Sequence, residues 1–167
     1  GKCDDTDAVI RLSEIAAKLY EEKVNDVDKA IVQHERILKM DEFNHNALEC
    51  LHRLYRKTLA NDKLATVIQR RLDNGDQPVN ELRAELVDLK IEDDPDLAFE
   101  LLKEILYDEK DNEKALESLE KLLPNKKFAL EIADILEPHY REHSQNDKLA
   151  NLLRVKAELN ENKEEAM

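Results

Sequence analysis

Five cationic side chains carry the first chemical signal in this sequence: Arg53, Arg56, Lys57, Arg83 and Lys90. Guanidinium and ammonium groups at helical spacing hold carboxylates by charge-assisted hydrogen bonds. They stand out because the chain has 39 acidic against 26 basic residues, a net charge of −13. A basic patch inside so acidic a protein suits an acidic segment or a C-terminal carboxylate. The competing reading is a solvated helix face with ordinary i,i+4 pairs. The same net charge repels phosphate backbones and anionic lipid, so neither nucleic acid nor a membrane is expected as a partner.

Other reactive groups offer less. His139 and His143 lie four apart, a metal-ligand spacing. No Glu follows His139 in the zinc-protease pattern and no third ligand is spaced to help, so the pair reads as surface histidines near a turn. Cys3 and Cys50 lack metal-type spacing and read as free thiols in a reducing compartment. His34 is expected at the edge of a core, His45 in the first turn of a helix, and His52 at a helix–helix contact. Gly75 stands alone, so no phosphate-cradling loop exists. Ser13 and Ser118 sit in helical stretches, neither in a nucleophile elbow. Among 39 acidic residues, close carboxylates arise by chance. No catalytic residue, metal or cofactor is expected, and the chain reads as a non-enzyme.

The elements that must position these groups are helices. Leu, Ala, Glu and Lys dominate, Gly appears twice and Pro four times. An internal period organises them. Asp28-Lys29-Ala30-Ile31 opens an apolar helix; 34 residues on stands Asp62-Lys63-Leu64-Ala65, and 34 further Asp96-Leu97-Ala98-Phe99. The intervening helices share the interval, since Ala47-Leu48-Glu49-Cys50-Leu51 recurs 68 residues later as Ala115-Leu116-Glu117-Ser118-Leu119. Tyr20 and Tyr55 lie 35 apart, which predicts one inserted residue near Val24. Tyr20, Tyr55 and Tyr140 hold the same place in their repeats and read as inter-helix packing, with a ligand-facing aromatic shelf as the alternative. The turns are punctuated by Asn25-Asp26, Asn61, Asp94-Pro95 and Gly75.

The next Asp-Lys start, Asp147-Lys148, falls 51 residues after Asp96, which leaves room for one extra helix over about 126–143. That helix is expected to serve both neighbours, giving nine helices in all. Pro138 inside it predicts a kink or a break. The tail from Asn160 to Met167 is polar and is expected to fray.

The 34-residue unit, the pattern Ala16-Ala17-Lys18-Leu19-Tyr20 with its copy Leu51-His52-Arg53-Leu54-Tyr55, and the Asp-x-Ala-Ile start closing on Ile37-Leu38 resemble the tetratricopeptide repeat family. The likeness covers residues 8–160. It implies an all-α, right-handed α-solenoid of antiparallel helix pairs, with one extra half-repeat near the C-terminus. The repeats run approximately 8–44, 45–78, 79–111 and, irregularly, 112–160. A hairpin of this kind cannot bury its apolar stripe alone, so stacking completes the core and curves the array. First helices then line a concave wall, a preformed groove for a peptide or partner segment. The residues aligned with the family's chaperone-tail clamp (Arg11, Glu14 and Lys18, then Asn46, Glu49, Cys50 and Arg53) do not reproduce it.

The expected function is a protein–protein interaction scaffold or adaptor that holds a peptide or partner segment in the groove. The alternative is a structural spacer or self-association module of a longer repeat protein. An open apolar face at Val9, Leu12 and Ile15 would favour the second. RNA binding would need a base-reading pair in each repeat, and Glu49, Arg83 and Glu117 at equivalent places do not supply one. A chain starting at Gly1 instead of Met reads as cut from a longer product. With no run of 18 apolar residues, it is expected to be cytoplasmic.

Overall fold

The computed structural model describes the backbone of residues 2–165 and the side chains of residues 5–160. Among the described residues it holds nine α-helices, a single π-helical turn and no strand. The helices are α1 (Lys2–Leu19), α2 (Val27–Met40), α3 (His45–Thr58), α4 (Asn61–Asp73), α5 (Val79–Lys90), α6 (Pro95–Asp108), α7 (Glu113–Leu122), α8 (Ala129–Glu142) and α9 (Asn146–Glu165). The chain divides into two compact units, residues 1–82 and 83–167, with the boundary inside α5. No helix is long and apolar enough to cross a membrane.

In the first unit each helix packs on the next, α1 on α2, α2 on α3 and α3 on α4. The core is the apolar stripe of each helix, including Ala30, Ile31 and Ile37 from α2, Leu48, Leu51 and Leu54 from α3, and Leu64 and Ile68 from α4. The residue inserted between Tyr20 and Tyr55 is taken up by a π-helical turn over Tyr20–Val24. Its carbonyl at Tyr20 receives the Asp26 N–H at 2.9 Å, six residues on, whereas Tyr55 and Tyr140 receive Ala60 and Gln145, five residues on. After each tyrosine the helix closes through a left-handed residue: Asn25 (φ 57°), Leu59 (φ 55°) and Ser144 (φ 54°).

The second unit packs α6 on α7, α7 on α8 and α8 on α9. The extra helix α8 does meet both neighbours, and it passes through Pro138 as one element. Burial of Ile132, Ala133, Leu136 and Tyr140 holds α8 to its neighbours, which offsets the one backbone hydrogen bond that proline removes. The backbone of α9 is helical to Glu165, and the last residues of the expected frayed tail lie outside the described ones. Cys3 lies outside the described side chains.

The half-repeat phase shows in a brace found once in each unit. In the first, Tyr55 donates to Glu35 at 2.7 Å, Lys63 donates to the same oxygen at 2.8 Å, and Lys63 Nζ lies 5.4 Å from the Tyr55 ring centroid. In the second, each partner moved on by 85 residues, Tyr140 donates to Glu120 at 2.8 Å, Lys148 at 2.6 Å, and Lys148 lies over the Tyr140 ring at 5.6 Å. Eighty-five is two and a half periods of 34. Helices α2, α3 and α4 therefore correspond to α7, α8 and α9. The tyrosines are packing residues, and their phenols lie buried. Burial would raise the pKa of Glu35 and Glu120, but the lysine and tyrosine donors outweigh it and hold both carboxyls below the usual range.

Helix starts repeat as well. Asp26 caps α2 by accepting the Lys29 N–H at 3.0 Å, and Asp94 caps α6 by accepting the Leu97 N–H at 3.1 Å, with Pro95 in the first turn. Asn44 and Asn112 cap α3 and α7 alike, accepting from Ala47 at 3.1 Å and Ala115 at 3.0 Å. Midway between Asp26 and Asp94 the cap of α4 is Ala60, which offers no side-chain acceptor; Asn61, expected to precede the helix, is its first residue. Ala60→Asp should therefore stabilise the first unit by about 0.5–2 kcal/mol. Urea denaturation followed by circular dichroism would read this as a higher midpoint at unchanged slope.

Candidate functional site

The sequence-predicted cations fall in two groups. Arg53, Arg56 and Lys57 share α3 in the first unit, three and four residues apart, all exposed. Arg83 and Lys90 share α5 two turns apart and belong to the second unit. Arg53 and Arg83 are engaged by carboxylates within their own units. Arg53 donates to Glu21 at 2.6 Å. Arg83, with its side chain mostly covered, pairs with Glu104 at 2.9 Å and Asp108 at 2.7 Å. Arg56 and Lys57 lie exposed in the last turn of α3, where they complement the helix dipole.

A buried polar chain runs beside them. Arg71 of α4 occupies a position that helical spacing assigns to the core, after Leu64, Val67 and Ile68, and it is buried there. Its Nε donates to Asp76 Oδ2 at 2.9 Å, and both side chains are close to nine-tenths covered or more. The turn over Asn74 and Gly75 brings Asp76 back onto α4. Gly75 takes φ 74°, a left-handed conformation that costs glycine least. Asp76 Oδ1 accepts from Asn74 at 3.0 Å and lies 3.0 Å from His45 Nδ1. Arg71 Nη1 also meets His52 Nδ1 at 2.5 Å, while Arg56 Nη2 lies 3.1 Å from His52 Nε2. This chain fixes the end of α3 that carries Arg56 and Lys57.

A second cluster lies where the π turn, α2 and α3 meet. His34 Nε2 stands 3.4 Å from Glu21 Oε1. Cys50 adds its sulfur, and the donor atoms of Glu21, His34 and Cys50 all lie within 4.8 Å of one another. Burial pushes the His34 imidazole down despite Glu21, and pushes the Cys50 thiol up despite Arg53. None of this was visible as a motif, because the three residues come from three separate elements.

His139 and His143 do share a face of α8, with ring centroids 4.2 Å apart. Asp111, from the turn before α7, stands 3.6 Å from His139 Nδ1, so the fold brings a carboxylate to the pair that spacing did not foresee. His143 Nδ1 is 3.0 Å from the carbonyl oxygen of His139. The set lies at the surface.

No protein-family model matches the sequence, and no curated protein matches it. Two crystal structures of MamA superpose on the chain. One does so at a TM-score of 0.49 with 16% identity over 94% of each chain. The other does so at 0.43 with 17% identity over 89% of this chain and 96% of its own. Superposition at this level adds nothing to the helical-repeat fold, which stands on its own internal periods.

Proposed function

We propose that this chain is a protein-interaction module of tetratricopeptide type that binds an acidic peptide or partner segment along α3. The observation that carries the reading is the exposed run Arg53, Arg56 and Lys57 on one helix of a protein with net charge −13. The helix beneath it is stiffened by the buried Arg71–Asp76 pair and by the Tyr55 brace, so little ordering entropy is left to be lost on binding. Arg53, Arg56 and Lys57 supply the charge-assisted donors, the two arginines exchanging their present contacts for a partner carboxylate. Arg83 and Lys90 on α5 belong to the second unit and are proposed separately as a second cationic pair for an acidic segment.

Titration of the whole chain with fluorescent acidic peptides, against charge-neutral peptides of equal length, tests this. Binding should weaken as salt is raised, because the contacts are exposed. Arg53→Ala combined with Arg56→Ala should weaken it by roughly tenfold or more, the loss of one to two charge-assisted hydrogen bonds. Affinity unchanged in that double variant would overturn the site.

A second reading has its own observation. Leu12, Ile15 and Leu19 of α1 are 67%, 59% and 51% exposed, whereas Ala47 and Leu54, at the places of Leu12 and Leu19 in α3, are buried. A terminal hairpin that merely caps an array presents a polar outer face. The apolar stripe on α1 supports stacking against another helical hairpin, in a longer array or a second copy. Light scattering of wild type against Leu12→Glu/Ile15→Glu separates a self-associating chain from a monomer.

A further inference from the structure

Three departures from the internal repeat converge on one point. Where His34 stands in α2, the equivalent residues are Ile68, Leu102 and, by the half-repeat relation, Leu119, all fully buried aliphatics. His34 is buried too, at 6% exposure, but is polar, and its Nδ1 has no hydrogen-bond partner among the described residues. Where Glu21 follows Tyr20, the other repeats place Arg56 after Tyr55 and Arg141 after Tyr140, so the charge is reversed. Cys50 answers to Ala84 and Ser118. Glu21 also lies in the π-helical turn, the one place where the period gains a residue. Such turns re-aim side chains. Each departure alone is unremarkable; together they put an oxygen, a nitrogen and a sulfur donor within 4.8 Å of one another.

We propose that Glu21, His34 and Cys50 form a binding site for a divalent transition metal of the zinc class. A tetrahedral Zn²⁺ with bonds of about 2.0–2.3 Å holds its donors roughly 3.3–3.8 Å apart. Glu21 Oε1 and His34 Nε2 already stand at 3.4 Å. Carboxylate, imidazole and thiolate make a borderline-soft set that suits Zn²⁺ and Co²⁺ over Mg²⁺ or Ca²⁺. Three protein ligands leave a fourth position for water or a partner's side chain. Binding replaces the Cys50 S–H bond by a metal–sulfur bond and releases the proton to solvent, with no change of oxidation state. In the metal-free chain the cation beside Glu21 is Arg53, which donates to it at 2.6 Å. Arg53 is therefore a competitor. Because His34 Nδ1 has no supporting acceptor, the site lacks the outer-shell bracing of tight zinc centres and is expected to bind in the micromolar range.

Co²⁺ titration of the full chain, read by absorbance, tests the site. A near-ultraviolet thiolate-to-cobalt band and tetrahedral visible bands should grow together to one equivalent and be displaced by Zn²⁺. Cys50→Ser should abolish the thiolate band. His34→Leu, which installs the residue type its equivalents carry and so keeps the fold, should weaken binding by roughly 100-fold or more. Arg53→Ala should tighten it. Cys3→Ser and the double variant His139→Ala/His143→Ala should leave the spectrum intact. Absence of a thiolate band, a band that follows Cys3, or one that persists in His34→Leu with wild-type affinity would overturn the proposal. The metal result turns on Cys50→Ser and His34→Leu and the peptide result on Arg53→Ala combined with Arg56→Ala, so either can fail without the other.

Discussion

Asp76→Ala should destabilise the first unit by about 3–5 kcal/mol, because it leaves the Arg71 guanidinium buried with no counter-charge. The pair is well covered, with side-chain exposures of 10% for Arg71 and 4% for Asp76. Asp76 also gathers Asn74 and His45, so the substitution strips several donors of one acceptor. The stated cost is that of breaking a buried pair, not of lacking one. Arg71→Leu together with Asp76→Ala, which returns an apolar residue to an apolar stripe, should recover most of the loss. Urea denaturation of the three chains checks this. A single-variant loss below about 1 kcal/mol would mean that water reaches Arg71 freely.

The same pair sets a pH signature. Burial acts to raise the Asp76 carboxyl, but the hydrogen bonds from Arg71 and His45 outweigh it and hold the group below its ordinary value. A depressed folded pKa means that the unfolded chain binds more protons between the two values. The contribution is complete above the unfolded pKa of about 3.9 and is lost as pH falls through the folded value. The stability gap between wild type and Asp76→Ala should therefore be flat from pH 8 to about pH 5 and close below about pH 4. A gap that instead closes between pH 7 and 6 would exclude the Asp76 carboxyl as the titrating group.

What the sequence discloses depends on whether a residue acts through its own helix or through another. The 34-residue period is written in apolar spacing along each helix, and so is the extra residue before Val24, because Tyr20 and Tyr55 fall one out of step. The double duty of α8 follows from the same counting. Pairings between helices carry no such mark. Arg53 and Arg83 look like open cations until Glu21, Glu104 and Asp108 arrive from neighbouring elements. Asp76, in the turn Asn74-Gly75-Asp76, looks like a solvated loop acid; the signal that it is not is Arg71 at a core register position. Glu21, His34 and Cys50 were each legible only as an exception to the repeat, and exceptions gain meaning when the fold puts them side by side.

The repeat also predicts where its own consensus fails. Phe99 of α6 stands where the neighbouring periods have Ala65 and Ala133. By sequence alone, Phe99→Ala restores the usual residue and should be harmless. The structure argues the reverse. Phe99 is 1% exposed, its ring lies 4.8 Å from that of Phe128 at a tilt of 32°, and Lys103 Nζ lies 4.8 Å from its centroid. Phe128 sits at the N-cap of α8, the helix that breaks the regular alternation. The aromatic pair thus fills the space opened where the half-repeat is inserted, a space that the alanine-bearing repeats do not have. Phe99→Ala should cost the second unit about 3–5 kcal/mol through lost burial and an unfilled cavity. Phe128→Ala should cost less than an independent loss once Phe99 is gone, with a coupling of about 0.5–1.5 kcal/mol between the rings. A double-mutant cycle by urea denaturation measures both. Additive losses would show that each ring packs against the aliphatic core separately, and that the irregular junction is closed by something other than this pair.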